Sequence, residues 1–345
     1  MKITTVGIDL AKNVFQVHGV DGHGKVRLRK RLKRDQVMAF FANCEPCLIG
    51  MEACGSAHYW ARKLGELGHT VKLIAPQFVK PYVKSNKNDA NDAEAICEAV
   101  GRPNMRFVAV KVVEQQAVLS IHRARQGFVK ARTAQANQIR GLLAEFGIVV
   151  PKGLGQIGKR IPEILEDAEN GLPGQMRELI RRLDEHLKQL DRQVQELEGQ
   201  IVLWHRQCEA SRRLEQVPGI GALTASAAVA TIGDARQFKN SRQLPAWIGL
   251  VPRQHSTGGK ERLMGISKRG DAYLRTLLIH GARSVIQHLD RKTDPSWDWL
   301  KALVARRNPN IAAVALANKN ARIIWALLVG DKDFDPGYVA TRAKA

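Results

Sequence analysis

The chain has 345 residues, of which 54 are Lys or Arg and 33 Asp or Glu, giving a formal net charge of +21 and a pI near 10.1. A compact fold with that surplus repels itself unless a polyanion neutralises it, so nucleic acid is the expected partner and an anionic membrane surface the rival. The five cysteines lack framework spacing, and neither a leader pattern nor a run of about eighteen apolar residues occurs, so the expectation is a cytoplasmic protein without a membrane span.

Length alone leads us to expect two or three domains. Residues 1 to about 110 alternate strand and helix patterns. The β-branched run Ile3-Thr4-Thr5-Val6-Gly7-Ile8 predicts a buried strand ending at Asp9. Residues 14–20 predict a second strand, and the turn Asp21-Gly22-His23-Gly24 leads into 25–29, which alternates with a period of two. This is a three-strand meander with a basic outer face. Helices are expected over 34–42 and 57–67, and strands over 47–51 and 70–75, giving an α/β domain with an antiparallel start. Cys44 and Cys47 have the spacing of a zinc knuckle, but no second CxxC or His pair follows at a suitable distance. Structural thiols are expected there.

Four carboxylates fall where a metal-dependent phosphoryl-transfer site needs them. Asp9 and Glu52 close two apolar runs, and Asp89 and Asp92 lie three apart at the start of a helical stretch, 89–100, on one face of it. Two strand ends and a helix start can converge at one sheet edge. Crowded carboxylates repel unless divalent cations neutralise them, and two such ions about 4 Å apart clamping a phosphodiester is the common arrangement. Singly, each acid also suits a helix N-terminus or a solvated strand end.

From 112 to 146 the pattern is helical and basic, with His122, Arg123, Arg125, Lys130, Arg132 and Arg140 and the polar Gln135, Asn137 and Gln138 between them. Such a helix can track a phosphate backbone or be a solvated face. Residues 150–155 read as a break. Met176, Ile180, Leu183, Leu187, Leu190, Val194, Leu197, Ile201 and Trp204 then alternate spacings of four and three, the seam of a coiled coil. Pairing of two protomers is expected there, with an intramolecular helical hairpin as the alternative.

In the last third, Val217-Pro218-Gly219-Ile220-Gly221 joins two helical stretches in the manner of a helix–hairpin–helix. The backbone N–H groups at Gly219 and Gly221 could approach a phosphate, although an ordinary tight turn has the same pattern. A polar loop at 250–260 carries Arg253, His255, Ser256, Thr257 and Lys260, and Ser267, Lys268 and Arg269 follow before helices over 273–289 and 311–329. A serine hydroxyl attacks poorly unaided, and cationic neighbours stabilise both its alkoxide and a pentavalent phosphate. Ser-Thr-Gly-Gly is equally ordinary loop chemistry.

Taken together, GIDLAK, GMEA and NKNDANDA, then VPGIG, then GLVPRQHSTGGKERLMGISKRGD resemble the DEDD transposases of the insertion-sequence one-ten/eleven-eleven family over almost the whole chain. The resemblance implies an α/β plus all-α architecture: a RuvC-like, ribonuclease-H-like metal-binding domain over 1–150, a coiled-coil segment over 151–205 and a helical transposase domain over 206–345. It implies Mg²⁺, as a pair of ions with Mn²⁺ as a substitute, on Asp9, Glu52, Asp89 and Asp92. It further implies a catalytic serine at Ser256 that forms a transient phosphoserine link to DNA, with Thr257 and Ser267 as lesser candidates. The implied partners are element-junction and target DNA, a guide (bridge) RNA, and further copies of the chain as a homodimer or a synaptic tetramer, the protein joining the nucleoid when DNA-bound. Arg123, Arg125, Lys130, Arg132, Arg140, Gly219, Gly221, Arg253, Lys260, Lys268 and Arg269 are the expected nucleic-acid contacts. The alternatives are a resolvase-type nuclease whose carboxylates alone activate water, and a non-enzymatic architectural binder. The second fits least, since a basic binder gains nothing from clustered acids.

Overall fold

The computed structural model describes residues 2–84 and 88–337, so Asn86 and Lys87 of the NKNDANDA segment lie outside the described residues. Its contacts separate the chain into two compact units, Met1–Glu114 and Gln115–Ala345. The basic helix expected with the first domain belongs by its contacts to the second unit.

The first unit is a six-stranded mixed sheet with helices on both faces. Its strands are β1 (Ile3–Leu10), β2 (Val14–Asp21), β3 (Val26–Lys33), β4 (Leu48–Glu52), β5 (Thr70–Ile74) and β6 (Phe107–Val108), in the order β3-β2-β1-β4-β5-β6. The expected meander is present: β1–β2 and β2–β3 pair antiparallel, β4 and β5 run parallel to β1, and β6 returns antiparallel. The arrangement is consistent with a ribonuclease-H-like domain.

Alternation along the strands sorts the two faces. Ile8, Phe15, Val17, Leu32, Ile49 and Met51 point to one face and pack under α1 (Val37–Ala42) and α2 (Ala57–Glu66), whose Phe41, Trp60 and Leu64 close that core. The short helix α3 (Pro76–Val79) follows β5. The other face carries α4 (Asp89–Val100). Gly7 and Gly50 are register partners on that face. A Cβ on Gly7 would stand 2.2 Å from the Ala93 carbonyl oxygen and 2.4 Å from the Cys97 nitrogen, and one on Gly50 would stand 2.7 Å from the Val100 Cβ. The helix thus rests on bare strand backbone at two adjacent positions.

The second unit is almost entirely helical. It comprises α5 (Val113–Ala144), whose first residues lie at the unit boundary, α6 (Leu154–Glu166), α7 (Gly174–Gln207), α8 (Glu209–Glu215), α9 (Ala222–Ile232), α10 (Gln243–Ile248), the two-stranded β7 (Pro252–Gln254) and β8 (Leu263–Ile266), and α11 (Ala272–Gln287), α12 (Asp298–Arg306) and α13 (Pro309–Gly330). The heptad seam of α7 differs from its expected use. Ile180, Leu187, Leu190, Val194 and Ile201 are buried within the single chain, the first two in one core with Ala136, Ile139 and Leu143 of α5 and Ile157, Ile161 and Ile164 of α6. Ion pairs Arg125–Glu198 and Arg132–Asp191 and a 2.7 Å hydrogen bond between His186 and Gln135 fasten α7 antiparallel to α5. The intramolecular hairpin, which has the same 3-4 period, accounts for the seam. The period reports that a stripe is covered and is silent on which chain covers it.

A turn over residues 216–221 joins α8 to α9. Gly219 has φ of +87°, and a Cβ there would lie 2.9 Å from the Gly281 carbonyl oxygen of α11. This glycine is therefore required by packing inside the unit. The helix α13 is long and apolar enough to cross a membrane by length and composition, yet Ala312, Ala313, Leu316, Ala317, Ala321 and Ile324 are buried in the largest core of this unit, with α9 and α11. Its Asn320 donates to the Pro218 carbonyl at 2.9 Å, which ties the turn down.

His122 of α5 is 1 % exposed and lies 3.1 Å from the Ser226 hydroxyl and 3.0 Å from the Tyr273 hydroxyl. The Ser226 hydroxyl donates to the Ala222 carbonyl at 2.6 Å, so Nε2–H of the imidazole donates to Ser226 and Nδ1 accepts from Tyr273. Burial, helped by Arg125, pushes this imidazole pKa down from 6.5 to about 4.

Gly7→Ala is expected to destabilise the protein by roughly 1–3 kcal/mol or more in urea unfolding, because backbone cannot yield as a side chain can. Gly65→Ala in α2, where a Cβ meets nothing within 4 Å, is expected to be neutral or stabilising by about 0.5–1 kcal/mol. For His122, the unfolded chain takes up a proton below pH 6.5 that the native site refuses until about pH 4. Stability is therefore lost as pH falls through that window, by about 3 kcal/mol. His122→Gln should flatten that part of a stability–pH profile.

Candidate active site

Asp9 stands at the end of β1, one residue beyond the register pair Ile8↔Met51, so Glu52 at the end of β4 is its neighbour across the parallel pair. On the same face α4 begins with Asp89 and Asp92 in its first turn, where the Asn88 side chain caps the helix by accepting from the Ala90 N–H at 3.0 Å. The helix dipole favours acids at this end. Seating α4 on Gly7, two residues before Asp9, brings its first turn over the β1 end. Carboxylate oxygens of Asp9, Asp89 and Asp92 all lie within 4.8 Å of one another, Asp9 and Asp92 half-buried and Asp89 exposed. Glu52, at the end of the neighbouring strand, is not part of this triplet. It does share a neighbour with Asp9: the Cys54 thiol is pushed above its ordinary pKa by burial first, then by the Glu52 and Asp9 carboxylates.

An all-oxygen, anionic donor set at this spacing suits a hard divalent cation of the Mg²⁺ or Mn²⁺ type. The residues present thus fit the metal that the sequence resemblance implies.

Two neighbours went unnoticed in the sequence. Glu94, on α4, is an acceptor for Arg29 at 3.4 Å and Lys84 at 3.2 Å, and lies 3.9 Å from the buried imidazole of His18 on β2. Burial lowers the His18 pKa; Glu94 opposes that shift, and Arg29 and Lys84 add to it. A cleft of about 260 Å³ opens here between β2, β3 and α4, lined by Gln16, His18, Arg29, Arg31, Asn91 and Glu94. Gln16 is the register partner of Asp9, and Arg31 that of Gln16, so basic side chains of the meander edge extend in a row from the carboxylates. The signal was legible in parity: residues 16 and 18 share the face of Asp9.

Ser256 lies in the other unit, on an exposed arm made by β7 and β8. The arm turns at Gly258 and Gly259, with φ of +54° and +76°, closed by the Thr257↔Lys260 bridge. Ser256 is exposed, and its hydroxyl oxygen accepts from the Gln254 amide at 2.9 Å. Arg253 and Lys260 are on the same arm, and Lys268 and Arg269 stand at its base, all exposed. The base is rigid: a Cβ on Gly249 would lie 2.3 Å from the Arg269 carbonyl oxygen and one on Gly270 1.9 Å from that of Trp247. Arg275 bonds the Ile248 and Arg269 carbonyls, both at 2.8 Å. Ser267, a lesser candidate, has a buried hydroxyl without a partner among the described residues, out of reach of a substrate. Thr257 is exposed at the turn.

The expected nucleic-acid contacts separate by partner. Arg125 and Arg132 pair with Glu198 and Asp191, and Arg140 donates to the Gly153 carbonyl at 2.7 Å, so these three fasten α5 within the chain. Arg123 and Lys130 are exposed on α5, with no ion pair recorded among the described residues. Gly221 is exposed at the N-cap of α9 with open space about its Cα, unlike Gly219. The Cys44–Cys47 pair reads as structural: burial raises both thiols, Cys47 to about 11, and the Cys47 N–H donates to His69 Nδ1 at 3.2 Å.

Comparison with known proteins gives this geometry its class. A family model described as a transposase, of the DEDD type, matches residues 6–148, and one described as the IS116/IS110/IS902 transposase family matches residues 211–297. A probable family 20 transposase of Pseudomonas aeruginosa is 56 % identical over 338 residues, covering 98 % of this chain and all of that relative. The transposase for insertion sequence element IS1111A of Coxiella burnetii is 48 % identical over 97 % of this chain and 92 % of its own length. That for IS1328 of Yersinia enterocolitica is 46 % identical over 94 % and 96 %. The class is thus that of DNA-processing transposases with a DEDD motif. Within it, this chain belongs to the IS110 family of insertion-sequence transposases.

Loss of a group that merely supports a metal ligand costs about 10–100-fold in affinity. Asp92→Asn is accordingly expected to weaken Mn²⁺ binding by about tenfold or more in calorimetric titration, with Glu66→Gln, on the exposed face of α2, leaving it unchanged.

Proposed function

We propose that this transposase cleaves and rejoins DNA through Ser256, assisted by divalent metal on Asp9, Glu52, Asp89 and Asp92, at sites selected by a guide RNA. The observation that carries the reading is the convergence of Asp9, Asp89 and Asp92 on one sheet edge with oxygens within 4.8 Å of one another. In the proposed step the Ser256 Oγ forms a bond to the scissile phosphorus, the P–O3′ bond breaks, and the serine proton ends on the leaving 3′ oxygen. Arg253, Lys260, Lys268 and Arg269 neutralise charge on the phosphate during that displacement. Bound Mg²⁺ would supply Lewis-acid stabilisation of the leaving oxygen. Reversal by a different 3′ hydroxyl rejoins the strands and frees the serine.

DNA and RNA contacts are assigned on charge and exposure. The arm faces the scissile strand, while Arg123 and Lys130 of α5 and the basic meander edge hold the guide RNA. Action in the cytoplasm rests on composition, and assembly as a dimer or a synaptic tetramer on the heptad spacing and the resemblance, with Ile180, Leu187, Leu190, Val194 and Ile201 of the α7 seam already buried within the chain.

A second reading has one observation in its favour. The partner recorded for the Ser256 hydroxyl is the Gln254 amide, a donor, and no base. Carboxylates acting alone on water would then make a resolvase-like nuclease. Denaturing electrophoresis of protein, guide RNA, Mg²⁺ and end-labelled junction DNA separates the two. The expected result is a metal-dependent protein–DNA adduct that disappears in Ser256→Ala, with recombination reduced by several powers of ten. Cleaved DNA without adduct in the wild type, or full recombination by Ser256→Ala, would assign the chemistry to water.

A further inference from the structure

On the face of the sheet opposite the carboxylates, an open groove of about 650 Å³ lies between the β1–β2 turn, the start of α1 and α2. That volume is in the range of about 300–1,000 Å³ typical of small-ligand sites. Asn13, Lys33, Arg34, Asp35, Tyr59 and Trp60 line it. Neither the carboxylates nor Ser256 contributes to it, and nothing in the chemistry above uses it.

Its make-up is specific. Tyr59 is a large aromatic side chain left 44 % exposed, set edge-on to Trp60 with ring centroids 5.2 Å apart. Trp60 is 4 % exposed, and its indole N–H is a buried donor without an acceptor among the described residues. The Arg34 guanidinium lies over the Trp60 ring at 5.2 Å and near the Phe15 ring at 6.0 Å, held by a 3.2 Å hydrogen bond to the Lys12 carbonyl. It therefore presents a fixed planar cation rather than a floating one. Lys33 adds a second positive charge, and Asp35 is the single acid of the lining.

A solvent-exposed aromatic side chain, an oriented guanidinium and a second cation together match one ligand chemistry. A base offers a π-face to stack, and its phosphate offers negative charge. Duplex DNA hides its base faces, whereas an unpaired nucleotide does not. The chain's net charge of +21 supplies the long-range attraction.

We propose that this groove binds an unpaired nucleotide of a single-stranded nucleic acid, its base stacked on Tyr59 and its phosphate held by Lys33 and Arg34. The site is a second nucleic-acid contact, separate from the carboxylates, and it stands whether Ser256 or water performs the cleavage.

Binding, rather than cleavage, tests it. Anisotropy titrations of the full-length protein would use a short labelled RNA strand, the DNA strand of the same sequence, and the DNA duplex. Tyr59→Ala is expected to weaken strand binding by about tenfold, the loss of one stacked base. Duplex binding should change by less than about twofold. Tyr59→Phe keeps the ring and should restore strand affinity to within about twofold of wild type. A loss with both strands assigns the site to any unpaired nucleotide, and a loss with RNA alone assigns it to a guide strand read through its 2′ hydroxyl. Unchanged strand binding in Tyr59→Ala, or an equal loss on strand and duplex, would overturn the proposal. Because Tyr59 is exposed, an unaltered thermal melt of Tyr59→Ala is expected alongside.

Discussion

The contact on which the carboxylate cluster of the first unit depends is that of α4 with the backbone of β1 and β4. Two register-paired glycines, Gly7 and Gly50, leave no side chain between sheet and helix, and the helix settles at a distance no other residue would allow. Glycine within a strand ordinarily weakens it. Here the cost is offset by burial of Ala93, Ile96, Cys97 and Val100, and by what the close approach does to the helix start. Asp89 and Asp92 are carried to the end of β1, where Asp9 stands. Carboxylates at that spacing repel one another, and packing of the apolar side of α4 works against that repulsion. The site is thus preorganised by a surface that contains no acid at all.

In the second unit, positive charge serves two ends. A basic α5 would repel itself and its neighbours were its cations all free. Arg125, Arg132 and Arg140 are instead tied to Glu198, Asp191 and backbone carbonyls, which locks α5 against α7 and the loop at 151–153. Arg123 and Lys130, on the exposed side, keep their charge available. Counting basic residues on a helix overstates its capacity for nucleic acid by the number that are paired at home.

Much of the first unit was legible from sequence because period and position sufficed there. The meander, the strand-end acids and the α4 acids follow from alternation and from Asp at a helix start. What was not legible depended on tertiary partners. The 3-4 spacing of Ile180 to Ile201 marks a covered stripe, and only the fold reveals that the same chain covers it, with α5 and α6 closing over Ile180 and Leu187. Gly219 was expected as a nucleic-acid contact on account of its backbone N–H, and its φ of +87° and approach to Gly281 add a packing requirement that no sequence pattern shows. His18 and Glu94 carry no motif of their own and become visible only once β2 and α4 are placed on the same face. The Tyr59–Trp60 groove escaped for the same reason, since its residues come from three separated segments.

Ser256 illustrates how a weakly specified loop can be a strongly specified position. The arm's own residues are exposed and hold each other by few bonds, so its tip can adapt to a substrate. Its base cannot: Gly249 and Gly270 press backbone on backbone, Arg275 ties the segment before β7 to the one after β8, and Asp271 caps α11 by accepting from the Leu274 N–H at 2.8 Å. A compliant tip on a fixed root limits where the hydroxyl can travel without dictating its final orientation. The Gln254 amide occupies one lone pair of Ser256 and offers no base to take its proton. In the reaction proposed for this serine, activation then comes from the phosphate itself and the cations of the arm once nucleic acid is bound, and the serine of the free protein leaves stray phosphodiesters alone.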